Sequence, residues 1–286
     1  MQVSINSEIL KAVIDSLGAE LHSIKDYNET EYLWQANPKI WKRYSPVLFP
    51  FICNTKSKKY TYNGESYSLA NHGFARDSEF ELVFAKENTA EFLLKSNELT
   101  KKIYPFDFEL LVTYSITENC IKTSYTVINT DSKNMYFFIG GHPAFNCPIL
   151  STEKFEDYYV LYEKNETIVQ KLDSGFVTII DNSKKLPLTH ELFKNDVIMK
   201  ELPESSCISL KSKVTDNKIT VSFDNNGCIA VWSPSRDDAE FVCLEPWSSV
   251  PVYCCEEEEL TKMKYAKILE PNAKYKFSYS ITIESL

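Results

Sequence analysis

The stretch FELLVTYSITENCIKTSYTVI, residues 108–128, reads as two strands and the turn that joins them. Phe108, Leu110, Val112, Tyr114 and Ile116 recur at every second position, which places all five on one face of an extended chain. Thr117-Glu118-Asn119 interrupts the run and Cys120 to Ile128 resumes it, the pattern of a β-hairpin. Period two also marks Phe80, Leu82 and Phe84, then Ile219, Val221 and Phe223, and finally Phe277, Tyr279, Ile281 and Ile283. Asp224-Asn225-Asn226-Gly227 predicts a further hairpin from 219–223 into Cys228 to Trp232. An aromatic content of 13% favours sheet over helix as well. Helical signals are few: 189–200 fits a short helix or a loop, and 260–269 is ambiguous. Without a long amphipathic helix, an alternating βαβ pattern or an internal repeat, the expectation is an all-β chain. It forms one domain over residues 1–286, a large antiparallel β-sandwich with few short helices, and long loops within 130–195 cover one face.

With 43% hydrophobic and 25% charged residues, the 286-residue chain can bury a sizeable core. A formal charge of -9 repels nucleic acid and anionic membranes unless basic residues cluster. The densest basic stretch, Lys56-Ser57-Lys58-Lys59, reads as a solvated hairpin face, so neither partner is expected. No segment approaches the roughly 20 apolar residues of a membrane span, and the first residues do not read as a signal peptide. Eight scattered cysteines without that leader point to reduced thiols and a cytoplasmic setting. No CxxC occurs, and Cys254-Cys255 is too tight for ordinary zinc spacing, so no thiolate metal site is expected.

Three short segments carry chemistry: Asn71-His72-Gly73-Phe74-Ala75-Arg76, Gly140-Gly141-His142-Pro143-Ala144-Phe145-Asn146 and Cys243-Leu244-Glu245-Pro246-Trp247. They hold two of the four histidines and a carboxylate in apolar, turn-rich settings. Histidine donates or accepts a proton near neutrality, and an ionised glutamate beside it completes an acid and base pair.

Together with Ile14 to Ile24, Trp41 to Pro50 and Leu192 to Ile198, these motifs resemble the aldose 1-epimerase (galactose mutarotase-like) family, in particular its LacX-type branch. The resemblance spans nearly the whole chain. It implies a supersandwich of large sheets, a cleft on one face, no cofactor, and exchange of the α and β anomers of a hexose. By the same resemblance Glu245 matches the general base, His142 the acid for the ring oxygen, and His72 an assisting hydrogen-bond partner. Asp196 looks like the acceptor for sugar hydroxyls, with an Asx turn or helix cap as its structural alternative. Arg76 and Arg43 could hold sugar oxygens or a phosphate, or instead form surface ion pairs. Phe145 and Trp247 offer apolar faces to a sugar ring, or simply pack. Relatives often read Leu-Phe-Pro-Ile-Val-Gly-Arg where this chain has Leu48-Phe49-Pro50-Phe51-Ile52-Cys53-Asn54, so Asn54 stands in place of a sugar-facing arginine and substrate preference is left open.

The chemistry is independent of the resemblance. Anomer exchange removes the proton of the C1 hydroxyl while the ring oxygen gains one, and a positioned base and acid accelerate this roughly 10²- to 10⁴-fold. Four readings stay open at this point. They are a mutarotase for a free hexose, one for a hexose 6-phosphate, a sugar-binding protein without turnover, and a metal enzyme built on His, His and Glu without HxH or HExxH spacing. A fall in rate is expected at acid pH as Glu245 protonates and at alkaline pH as His142 loses its proton. Nothing in the sequence indicates an oligomeric state.

Overall fold

The hairpin at 108–129 lies inside the largest sheet. In the computed structural model, which describes residues 1–68, 70–172 and 175–284, Phe108–Thr117 pairs antiparallel with Cys120–Asn129, in register from Thr117 against Cys120 to Phe108 against Asn129. Phe108, Leu110, Val112, Tyr114 and Ile116 are each at most 1% exposed. Removing such a side chain from water contributes about 2 kcal/mol toward folding.

Nine strands make up this sheet, in the order Gly175–Pro187, Tyr158–Leu172, Cys207–Ser212, Lys218–Phe223, Lys274–Ile283, Cys120–Asn129, Phe108–Thr117, Thr89–Lys95 and Glu81–Lys86. Every neighbouring pair is antiparallel. A second sheet runs Ile198–Glu201, Cys228–Trp232, Phe241–Trp247, Gly140–Gly141 and Val47–Leu48, and Ala144–Asn146 also pairs with Phe241–Trp247. The two sheets meet closely: a Cβ built on Gly141 would lie 2.6 Å from the Tyr279 ring, so only glycine permits this approach. A three-stranded sheet, Gln2–Asn6, Leu10–Asp15 and Glu20–Asp26, packs alongside, and the Tyr114 hydroxyl donates to Ala19 O at 2.8 Å. The architecture is thus all-β, a stack of large antiparallel sheets.

Three local expectations need correction. Lys218–Phe223 and Cys228–Trp232 are not a hairpin, because both edges of the first strand are taken by Cys207–Ser212 and Lys274–Ile283. The chain instead crosses through Asp224 to Gly227 into the other sheet. Phe80 is buried but Phe84 is 39% exposed, since Glu81–Lys86 is an edge strand whose register shifts between Leu82 and Phe84. The span 130–195 is not mainly loop: Tyr158–Leu172 and Gly175–Pro187 pair along the other sheet edge. Tyr158, Val160, Tyr162 and Ile168 are buried, but apolar Tyr159 and Leu161 take the outer positions between them and residues 175–178 are exposed one after another, so the alternation that betrays a strand is blurred in the sequence. Among the described residues the helical content is short, a four-residue α turn at Glu98–Lys101 and a few 3₁₀ turns. One of those, His190–Phe193, is followed by the strand Ile198–Glu201, and Leu260–Lys262 is likewise followed by Lys267–Leu269.

Candidate active site

Three chain crossings bring the motifs together. His72 and Gly73 take successive left-handed backbones, φ 63° and 72°. A Cβ on Gly73 would fall 2.2 Å from Phe49 O, and that same carbonyl accepts from Phe74 N and Ala75 N at 3.0 and 3.1 Å. The segment 71–76 is therefore pressed against the strand end at 49–53. His72 and Cys53 bond reciprocally: His72 N donates to Cys53 O and Cys53 N donates to His72 Nδ1, both at 3.1 Å. A ring whose Nδ1 accepts carries its proton on Nε2. Burial first, then the charges of Arg76 and Arg43, push the His72 pKa down to about 3. It is a neutral imidazole with one N–H to offer.

His142 follows Gly140–Gly141, which pairs with both Val47–Leu48 and Trp247. Glu245 sits in Phe241–Trp247, a strand buried along its entire length. These strands place His142 Nε2 3.1 Å from Glu245 Oε2, with the two residues 6% and 1% exposed. Burial disfavours charge on each. It raises the Glu245 pKa, helped by the Asp196 charge and opposed by the Trp247 indole, and it lowers that of His142, helped by His72 and Arg76. The His142 ring stacks on Trp41 at 5.0 Å and meets His72 edge-on at 5.4 Å, so its orientation is set by packing.

The pair opens into a cavity of about 310 Å³, near the small end of the roughly 300–1,000 Å³ common for ligand pockets. Of the residues singled out from sequence, His72, Arg76, His142, Asp196, Asn54, Glu245 and Trp247 line it. Two do not. Arg43 donates from Nη1 to Arg76 O at 3.0 Å and pairs with Asp77 at 2.6 Å, so its expected contact with substrate gives way to holding the Arg76 loop. Phe145 is fully buried, bridged to Leu33 and paired with Val242, and its expected role as a sugar face gives way to packing.

Six lining residues escaped the sequence reading: Trp41, Cys53, Asn71, Val197, Trp232 and Tyr253. Trp41, Cys53, Asn71 and Val197 lie within quoted stretches, and for Trp41 an aromatic in such a stretch was the available signal. Cys53, at φ 60°, carries none. The donor set closest to a metal site among the described residues is His142, Cys243 and Glu245, all buried and with ligand atoms within 4.8 Å, rather than the two histidines and glutamate considered above.

Comparison with known proteins identifies the family and the fold. The family profile described as Aldose 1-epimerase matches residues 1–282. The chain is 33% identical to the chromosomal LacX protein of Lactococcus lactis subsp. lactis, over 99% of each chain. A solved galactose mutarotase related enzyme from Lactobacillus acidophilus superposes with a TM-score of 0.94 at 32% identity, covering 100% of this chain and 98% of that one. A galactose mutarotase-like protein from Lactobacillus casei gives 0.89 at 28% identity, with 99% and 100% coverage.

Proposed function

This chain belongs to the aldose 1-epimerase family, and from that premise we propose that it is a mutarotase converting the α and β anomers of a free hexose such as galactose or glucose. The observation that carries this reading is the buried contact of His142 with Glu245 at 3.1 Å in the wall of a cavity of pyranose scale. The C1 hydroxyl and the ring oxygen of a pyranose share one carbon, so their acid and base must be neighbours, as these two groups are.

Burial on all sides favours zero net charge, and hence one proton shared by the pair. In the ion-pair form Glu245 takes the proton of the C1 hydroxyl, the bond from C1 to the ring oxygen breaks, and His142 delivers its proton to that oxygen. An aldehyde results, and the pair is left as glutamic acid and neutral imidazole. The proton count of the pair is unchanged. Rotation about C1–C2 presents the other carbonyl face, and the reverse transfers close the ring as the opposite anomer. His72, held neutral with its Nε2 proton, donates a hydrogen bond to the ring-oxygen region without titrating. No cofactor enters these steps.

Substrate charge follows from the lining. Arg76 is the one arginine or lysine among the lining residues, which also hold the carboxyl groups of Asp196 and Glu245 and the imidazoles of His72 and His142, and Arg43 is engaged by Asp77. With the His142 and Glu245 pair neutral overall and Arg76 balanced by Asp196, a phosphate dianion would find no net positive charge there, which supports a neutral sugar. Eight free thiols support a cytoplasmic setting, no helix among the described residues is long and apolar enough to cross a membrane, and a core shared by the large sheets supports one domain over 1–286.

Polarimetry of freshly dissolved α-galactose and α-glucose tests the proposal. Catalysed relaxation well above the buffer rate is expected, with weaker activity on glucose 6-phosphate than on glucose. Binding of sugar without acceleration would make the protein a sensor instead, and a preference for the phosphorylated sugar would overturn the neutral substrate.

A further inference from the structure

Asp196 stands on an exposed turn at φ 69°, where its backbone N–H closes a short turn onto Phe193 O at 2.9 Å. An exposed carboxylate at such a position is free to swing into water, yet this one lines the cavity. What fixes it is the Trp232 indole, whose Nε1 donates to Asp196 Oδ1 at 2.8 Å. Trp232 itself is rigidly placed. It ends the strand Cys228–Trp232, lies opposite Cys243 in the neighbouring strand, and packs against Trp41 and Phe241 with ring centroids 5.8 and 5.9 Å apart. Its ring also meets His142 edge-on at 5.8 Å.

We propose that Trp232 is a positioning residue for sugar binding: its N–H pins one oxygen of Asp196 so that the other faces the cavity and accepts from a sugar hydroxyl. This rests on the mutarotase reading for the identity of the ligand, but not on turnover. A hydrogen bond to an ionised acceptor is stronger than one between neutral groups, and pinning the carboxylate before binding spares the sugar the cost of ordering it. The same bond holds the Asp196 charge near Glu245, whose other neighbours are His142, the Trp247 indole and the thiols of Cys53, Cys228 and Cys243.

The test is a double-mutant cycle on sugar affinity. Calorimetric titration with D-galactose and with D-glucose is run on Trp232→Phe, Asp196→Ala and the double variant, each in a Glu245→Gln background so that no turnover intervenes. Each single change is expected to weaken binding about tenfold, and the double variant to bind no more weakly than Asp196→Ala alone. In the otherwise native enzyme, Trp232→Phe is expected to raise KM about tenfold with kcat within about threefold. Asp196→Asn, which keeps an acceptor for the indole but loses the charge, is expected to move the alkaline limb of kcat to lower pH.

Multiplying losses in the double variant would overturn the proposal, as would intact binding in Trp232→Phe. A fall in kcat at constant KM would overturn it too, placing the role of Trp232 at His142. Trp232→Leu, which likewise lacks a donor, replaces the phenylalanine variant should that one unfold. Absence of mutarotation in the native protein would defeat the function proposed above and leave this cycle readable, whereas absence of binding to both sugars would defeat both.

Discussion

The hairpin at 108–129 and the strand pair that joins Gly140–Gly141 to Phe241–Trp247 are both buried, but they are buried differently. The five inward side chains of Phe108–Thr117 are all hydrophobic, and each strand of the hairpin has a partner along both edges. The second region encloses a carboxyl group and imidazoles, and its neighbours Cys53, His72 and Asp196 sit at positive φ. Such backbones cost of order 1–3 kcal/mol each and persist where the surroundings over-determine them. Here the surroundings are reciprocal bonds such as that of His72 with Cys53, mounted on the apolar stack behind. One layer supplies stability, and the other spends part of it on placing polar groups around a cavity.

Separate perturbations of the two regions should therefore part stability from activity. The largest effect is expected from Glu245→Gln, which keeps the shape of the side chain and removes the base: kcat falls about 10²- to 10⁴-fold while sugar binding is largely kept. Near-normal turnover in that variant would remove Glu245 from the chemistry. The opposite pattern is expected in the hairpin. Leu110→Ala costs about 2–5 kcal/mol of stability by leaving a cavity, read as a shifted denaturant midpoint, with kcat per folded molecule unchanged. A comparable loss of kcat there would mean that the layers are not separable in this way.

A smaller and finer effect is the pH profile. The contact reverses the expectation drawn from the separate residues. Burial lowers the pKa of His142 from 6.5 and raises that of Glu245 from 4.5, so the acid limb of kcat is the gain of a second proton at His142. The alkaline limb is the loss of the shared proton from Glu245. The sign follows from charge: adding a proton makes a buried cation beside Arg76, and removing one makes a buried anion facing Asp196, and both are opposed. His72, neutral above about pH 3, contributes no limb. The two shifts widen the range in which the pair holds one proton, and an acid limb above pH 6.5 or an alkaline limb below pH 4.5 would contradict it.

Much of this was legible in the chain. Alternation at 108–117, 120–128 and 277–283 identified strands because one face of each is buried and the other wet. It failed where the residue types do not show that asymmetry: in the Tyr158–Leu172 and Gly175–Pro187 pair, where apolar side chains also take outer positions, and in the edge strand at Phe84. The turn signal after Phe223 was sound as a turn and misleading as a hairpin, since sequence says nothing about whether a strand's edge is already occupied. The motifs named His72, His142 and Glu245, which line one cavity. They could not separate Arg76, which lines it, from Arg43, which is bound to Asp77, and they passed over Trp232.

By itself the sequence determined the fold class and the family, because periodicity, turn chemistry and motif order are local properties that survive being read one segment at a time. The tertiary structure alone decided that His142 and Glu245 touch, that both are shut away from water, and that Asp196 accepts from an indole 36 residues away. Those are consequences of distance and of exclusion from water, and neither exists until strands far apart in the chain are packed together.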